Sequence, residues 1–544
     1  MEINPDRLKV MALAIGLAFQ SLLLSAAQSP EVAHFQFWGG NQMAADANMP
    51  KFKQIWGLPS TIEYRAVIAH KVAIELSSSF AKELNPAMPD AAPLLSPLVE
   101  DVFQYESAAT FGGRTNGPLG FVLAVKLDNT RVKVWQDTFA RLIGSAPEKS
   151  TAESFECLNW KKAKVRLVRA QDWLVVSRGE DLLPRQTQYL QLIRQQGHPT
   201  KGVQENWLVA DADWPRLAAW LPLNSCPFKL AYMDLKISAK KDIQKTKLRL
   251  VYPEKIQWKN RSWRVPMEAI TDPVVSFTAM QDVAPFLQEN KNLSKLRLNP
   301  LNQEVYVWAL RDVPFLTFGA IMTDHATNVL RDLAVQVPQI YNGKLNEMHY
   351  GQLAAMANGN ELAWTNLSFI IPTLSAKSGK SGEFIELGFF PQPPHRIAPP
   401  DELFAQFTTR TNLVYYDWEY TGIRLQQWRP LSVILPILRG TVHPKENKTA
   451  THKAPATTAA KGKKPNIRVL PARERWLTDI VPLLNDTVTE AVLTGPNELT
   501  ISRNSHLGFT GLELVALSYW LDDDASSLAQ PMKAQPRLIK PAHP

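Results

Sequence analysis

The sequence predicts an α+β fold in which strand–helix–strand–strand units recur and the sheets are mainly antiparallel. Three observations point to it. Strand candidates alternate apolar and polar residues, as in Lys247-Leu-Arg-Leu-Val-Tyr252, which places one face in a core and the other in water. They come in pairs joined by short connections, Leu230–Ser238 with Thr246–Tyr252 and Gln303–Leu310 with Phe315–Ile321, so neighbours pair antiparallel. A doubly wound parallel sheet would instead need unbroken apolar strands, each followed by a helix.

The unit is plainest at Trp207–Trp220, WLVADADWPRLAAW. Trp207–Ala210 form an apolar strand. Asp211 or Asp213 can accept hydrogen bonds from the free N–H groups of a helix start, and Pro215 fits the first turn, where its missing donor costs nothing. Leu217 and Trp220 share one helix face. Looser versions stand at Phe121–Trp135, Val274–Leu287 and Leu413–Trp428. The interval from aspartate to closing tryptophan is seven residues at Asp128–Trp135, nine at Asp211–Trp220 and eleven at Asp417–Trp428. That drift argues against a short-period solenoid and suits large, diverged units. Each closing residue, Trp135, Trp220, Phe286 or Trp428, is expected to press on the inner sheet face.

The other elements follow in chain order. Glu31–Pro59 reads as irregular and aromatic. Thr61–Leu84 and Leu95–Phe103 read as helices, with Pro97 in the first turn of the second. Asn129–Ile143 is the first unit's helix, Val165–Val168 and Trp173–Ser177 are a hairpin pair, and Asp181–Gln196 is a helix ended by Gly197. Ala326–Val337 is helical, and Leu362–Pro372 and Gly382–Phe390 are strands joined through Ser375–Gly382. Arg468–Leu484 is a helix with Trp476 on its apolar side. Val488–Leu493 and Glu498–Asn504 flank Gly495-Pro496, and Thr510–Leu521 is the last helix.

A chain of 544 residues exceeds one ordinary core. The expected organisation is a leader at residues 1–27, α+β regions at 28–200, 201–390 and 391–520, a Lys-rich insert at 441–466, and a disordered tail at 521–544. The leader rests on Val10–Leu24, apolar except for Gln20 and Ser21, followed by the small residues Ser25-Ala26-Ala27. That is the layout of a secretory signal peptide, although Glu2 and Asp6 offset Arg7 and Lys9 ahead of it. Residues 10–24 are short for a span, so cleavage is favoured over anchoring in the inner membrane. A buried amphipathic helix is the other reading. The expected location is periplasmic or extracellular.

The net charge of +9 is concentrated. Thr441–Asn466 holds six lysines against Glu446, which leaves only +4 for the rest of the chain. The insert has no aromatic residue, so it does not read as a nucleic-acid site. It suits a loose tether to anionic lipid or cell-wall polymer, or a plain solvated linker. Two cysteines, Cys157 and Cys226, exclude a disulfide-rich scaffold and a four-cysteine zinc site, and leave one bridge open.

Catalytic motifs are scarce. Gly379-Lys380-Ser381 matches the end of a nucleotide-binding loop, but Leu374 stands where the first glycine belongs and a strand follows instead of a helix. A hairpin tip explains it better. Gly112, Gly113, Gly117 and Gly120 precede a strand, the wrong order for a dinucleotide loop. No Gly-x-Ser-x-Gly or His-Glu-x-x-His occurs, and His325, His349, His395 and His506 are scattered. Asp324 reads as a helix cap beside His325, and His506 as a donor to a backbone carbonyl. Trp263 and Trp418 are the tryptophans expected to be exposed. No cofactor and no metal is expected.

Three segments, FVLAVKLDNTRVKVWQD, NWLVADADWPRLAAWL and LVYYDWEYTGIRLQQW, resemble large bacterial cell-envelope proteins that have no assigned activity. The resemblance implies an exported, noncatalytic protein and carries no catalytic residue over. The functional expectation is therefore an exported envelope scaffold or binding protein, with another envelope protein among its candidate partners. The alternative is an envelope hydrolase with a carboxylate site at Asp417, Glu419 and Glu498, flanked by Arg410 and Arg503.

Overall fold

The computed structural model describes residues 31–522 except 80–83, 85–89, 114–119, 144–148, 151–153, 159–163, 201–204, 218–230, 259–260, 283–303, 313–317, 348–349, 357–359, 368–370, 390–396, 400 and 431–471. The expected leader, Trp220, Cys226, Phe286, the Lys-rich insert and the tail after Asp522 lie outside the described residues. The fold mixes helix and strand, and the described strand pairs are antiparallel. The chain divides into two compact units. One holds the described residues up to Ile256, Gly495–Ile501 and the described residues from Ala516. The other holds Gln257–Thr494 and Ser502–Val515.

The first unit contains β1 (Glu31–Phe37), α1 (Gly40–Ala45), α2 (Pro50–Trp56), α3 (Pro59–Ser79), α4 (Ala92–Gln104), β2 (Ser107–Gly112), β3 (Gly120–Lys126), α5 (Asn129–Ile143), β4 (Lys149–Ser150), β5 (Ser154–Leu158), β6 (Lys164–Ala170) and β7 (Trp173–Arg178). It continues with α6 (Leu183–Gln196), β8 (Leu208–Asp213), α7 (Trp214–Leu217), β9 (Tyr232–Lys240) and β10 (Ile243–Val251). Its strands lie in the order β4-β5-β6-β7-β3-β2-β1-β8-β9-β10. Period-two alternation feeds a separate core on each face. Val125, Val165, Leu167, Leu174 and Val176 pack on Leu98 of α4 and on Val132 and Trp135 of α5. Val122, Ala124, Trp173 and Val175 pack on Tyr189 and Ile193 of α6. At the β1–β8–β9 end, Phe35, Ala210, Ala212 and Met233 meet Trp214 and Leu217 of α7. Asp128 and Asp213 accept hydrogen bonds from the amides of Arg131 and Arg216, so both strand-to-helix junctions are aspartate-capped.

The second unit contains β11 (Val274–Gln281), β12 (Glu304–Leu310), β13 (Phe318–Met322), α8 (Ala326–Glu347), β14 (Gln352–Ala355), β15 (Glu361–Thr365), β16 (Thr373–Gly379) and β17 (Gly382–Gly388). It continues with α9 (Asp401–Ala405), β18 (Leu413–Tyr420), α10 (Thr421–Trp428), α11 (Ala472–Ile480), β19 (Asp486–Gly495), the end of β20 (Glu498–Ser505) and the start of α12 (Gly511–Asp522). Its strand order is β14-β15-β16-β17-β13-β12-β11-β18-β19. The main core is aromatic, with Trp263, Phe277, Tyr306, Phe404, Phe407 and Tyr416 in mutual contact. Leu330 and Leu333 of α8 pack on Leu362 and Ile385.

Four local expectations need correction. Glu31–Pro59 is not irregular: it holds β1, paired on both sides, and two helices. Its strand character comes from distant partners rather than from a clear local pattern. Pro93, not Pro97, sits in the first turn of α4, which begins at Ala92. Helix α8 does not stop before Pro338. Leu330 and Leu333 hold it on the sheet upstream, and Asn342 exchanges two hydrogen bonds with the Leu353 backbone downstream. Ser375–Gly379 is not a linker but most of β16, paired along its length with β17.

Candidate functional site

The second unit gathers charged groups on one face of β18. Alternation places Tyr415, Asp417 and Glu419 together on that face. Thr278 lies opposite Asp417 on β11 and donates to its Oδ1 at 2.6 Å. The amide of Gly511, the first residue of α12, donates to Glu419 Oε1 at 2.7 Å. Arg503 on β20 donates to Thr489 Oγ1 at 2.9 Å and grips Glu513 through two bonds of 2.6 and 2.9 Å. Glu513 accepts from the Thr510 amide, and Thr510 Oγ1 accepts from the Glu513 amide, so a capping box opens the helix. Arg424 of α10 donates to Gln427, and its guanidinium lies 4.5 Å from the Trp428 ring centre.

Burial sets the electrostatics. Asp417 is 9 % and Glu419 5 % exposed. Desolvation pushes the Asp417 carboxyl up to about 6, against the Thr278 bond and the Arg503 charge. It pushes Glu419 up to about 7, reinforced by the charge on Asp417. The same burial lowers Arg424 to about 10. Two carboxyls that take up protons near neutrality have the property an acid–base catalyst needs. Here each has an oxygen engaged by an internal donor, and both are almost wholly withdrawn from solvent.

The other expected members are elsewhere. Arg410 pairs with Glu490 at 2.6 and 3.1 Å, and Glu490 lies opposite Tyr416, on the other face of β18. Glu498 belongs to the first unit, where it pairs with Arg249. Trp263 is buried at 6 % exposure against Tyr306 and Phe407, contrary to expectation. Trp418 is half-buried and edge-on to Tyr420. Of the expected tryptophan anchors, Trp135 is buried in a sheet core, while Trp428 is half-buried beneath Arg424.

Asp324 pairs with Arg264, and it is Glu383 that accepts from the Ala326 amide at the start of α8. His325 takes a positive φ of 69°, and its carbonyl accepts from the Asn328 and Val329 amides. His506 Nδ1 lies 3.4 Å from the Leu483 carbonyl oxygen. His349 and His395 lie outside the described residues. Lys380 and Ser381 form the turn between β16 and β17. Among the described residues, no group of three or more His, Cys, Asp or Glu side chains could hold a metal ion.

A second array was not read from the sequence. Register places Thr110, His34, Asp211, Asp234 and Arg249 opposite one another on β2, β1, β8, β9 and β10, in one rank across the first sheet. His34 Nδ1 lies 3.1 Å from Thr110 Oγ1, which lies 3.0 Å from the Tyr189 hydroxyl. His34 Nε2 is 3.5 Å from Glu31, whose Oε1 accepts from Arg185 Nε at 2.8 Å. Burial lowers His34 and raises Asp211, and the attraction between the two opposes both shifts. In the second sheet Thr278, Asp417 and Thr489 lie in register, and Arg503 reaches Thr489. Single polar residues at alternate strand positions read as a wet face. The rank emerges only when five strands are aligned.

Comparison with protein families, characterised proteins and solved structures finds no match to the chain.

Proposed function

We propose that the protein is an exported, noncatalytic scaffold or binding protein of the cell envelope, built from two copies of one nine-strand module. The module reading rests on the two strand orders. Adding ten to each label turns β4-β5-β6-β7-β3-β2-β1-β8-β9 into the second sheet's order, and both sheets have a helix directly after the third strand and directly after the eighth. The export reading rests on the leader pattern of residues 10–27. No described helix is long and apolar enough to cross a membrane, and residues 10–24 remain the candidate for cleavage or anchoring.

One observation carries the noncatalytic half. Asp417 and Glu419, the acids a hydrolase would use, spend oxygens on Thr278 and the Gly511 amide and lie below a tenth exposed. The observation that favours a hydrolase is the Glu419 carboxyl raised to about 7. A buried, internally bonded acid is equally the mark of a structural network, and Arg410 pairs with Glu490 on the other face of β18, which weakens the catalytic arrangement further.

Two measurements test the proposal. Amino-terminal sequencing of protein from fractionated cells is expected to find it in the envelope, beginning near residue 28 if the leader is cleaved. Retention in the cytosol with Met1 intact would refute export. Incubation with cell-wall polymer is expected to release no new reducing ends. Release that Glu419→Gln abolishes, with folding intact, would establish the hydrolase.

A further inference from the structure

The β9–β10 hairpin has two unlike faces. Met233, Leu235, Leu248 and Leu250 turn into the core with α7. The other face carries Lys236, Lys240, Lys245, Lys247 and Arg249, all exposed, and Lys241 stands exposed at the turn. Register sets Lys236 directly opposite Lys247. Like charges so placed repel and weaken a sheet. Lys236 has Asp234 at 3.7 Å and Arg249 has Glu498. Lys240, Lys245 and Lys247 make no ion pair among the described residues. In the second sheet Ala491, two residues beyond Thr489, stands where the first sheet has Lys236, two residues beyond Asp234.

We propose that this face binds a linear acidic polysaccharide lying along the hairpin. The inference deepens the binding reading above and rests on its noncatalytic half. Lys245, Lys247 and Arg249 alternate along β10, so their attachment points recur about every 6.8 Å and form one line of positive charge, suited to a linear polyanion. A flat bilayer would also meet Asp211, Asp213 and Asp234, which share the face on β8 and β9. A chain running along β10 passes beside that acidic group. Nucleic acid would call for stacking aromatics among the cations. The hairpin face has only Tyr232, at the end away from the turn.

The test uses the full chain and a fluorescently labelled oligogalacturonate, read by anisotropy. Lys240→Gln/Lys245→Gln/Lys247→Gln changes exposed side chains only, and an unchanged unfolding midpoint confirms the fold. It is expected to weaken binding at low ionic strength at least about tenfold and to flatten its salt dependence. Deleting residues 441–466 is expected to leave binding unchanged. Equal binding by the triple variant and the parent, or loss on deleting the insert, would overturn the proposal. So would tighter binding of single-stranded DNA or of phosphatidylglycerol vesicles through the same lysines. Shortening of the oligosaccharide would overturn the noncatalytic reading alone, while binding lost in the triple variant would still place the polymer on this face.

Discussion

Replacing Asp417 by Asn and Glu419 by Gln should remove a specific part of the protein's pH dependence. In the unfolded chain both carboxyls ionise near 4. In the fold they hold protons up to about 6 and about 7. The folded state therefore binds more protons between those limits. The resulting stabilisation is fully present below the unfolded values and is lost as pH rises through 6 and 7. Between about pH 5 and about pH 8 the loss is about 1 kcal/mol for Asp417 and about 3 kcal/mol for Glu419, roughly 4 kcal/mol together. The amides keep an acceptor oxygen for Thr278 and for the Gly511 amide but have nothing to titrate. Urea unfolding at both pH values, with hydrogen exchange of the β18 amides to identify the second unit, measures the difference. The parent should lose several kcal/mol more than the double variant on going to the higher pH. The same slope in both proteins would show that the pair ionises normally, and would refute the assignment of burial as the controlling force.

Three further outcomes are expected. Trp135→Ala should cost about 3–5 kcal/mol in urea unfolding, because the ring fills a sheet core and its Nε1 donates to buried Asp101 at 2.7 Å. Gly39→Ala should cost about 2 kcal/mol or more: φ is 84°, and an added Cβ would lie 2.4 Å from the Tyr105 carbonyl carbon. Thermal unfolding would read the loss, and a variant as stable as the parent would refute the close approach. Tyr306→Phe should cost about 1–3 kcal/mol by denaturant titration, since its buried hydroxyl donates to Glu304 at 2.9 Å and the carboxylate would lose that donor.

Where one strand face is wet, the sequence was readable. β9 and β10 alternate so regularly that their pairing follows from residue parity. Strand-to-helix junctions stand at Trp207 and Leu413, as β8–α7 and β18–α10, and at Phe121, as β3–α5, whereas at Val274 the strand is β11 and the helix expected after it lies outside the described residues. β1 could not be read, since its partners begin seventy or more residues away: His34 bonds Thr110 across 76 positions. The candidate site followed the same rule. Asp417 and Glu419 share a face by spacing alone. Thr278, Gly511 and Glu513 arrive from separate parts of the chain, and Arg410, close in sequence, was carried to the opposite face.

The first unit takes in Gly495–Ile501, which a ribosome makes after nearly all of the second. β10 pairs with β20, and Arg249 waits 249 residues for Glu498. During synthesis β10 is therefore an open border, able to recruit a strand from any neighbouring nascent chain. Lysines on such a border discourage that pairing, and Lys245 and Lys247 stand on it. A chain truncated before β20 would leave that border open in its amino-terminal half, where clumping of the fragment should begin.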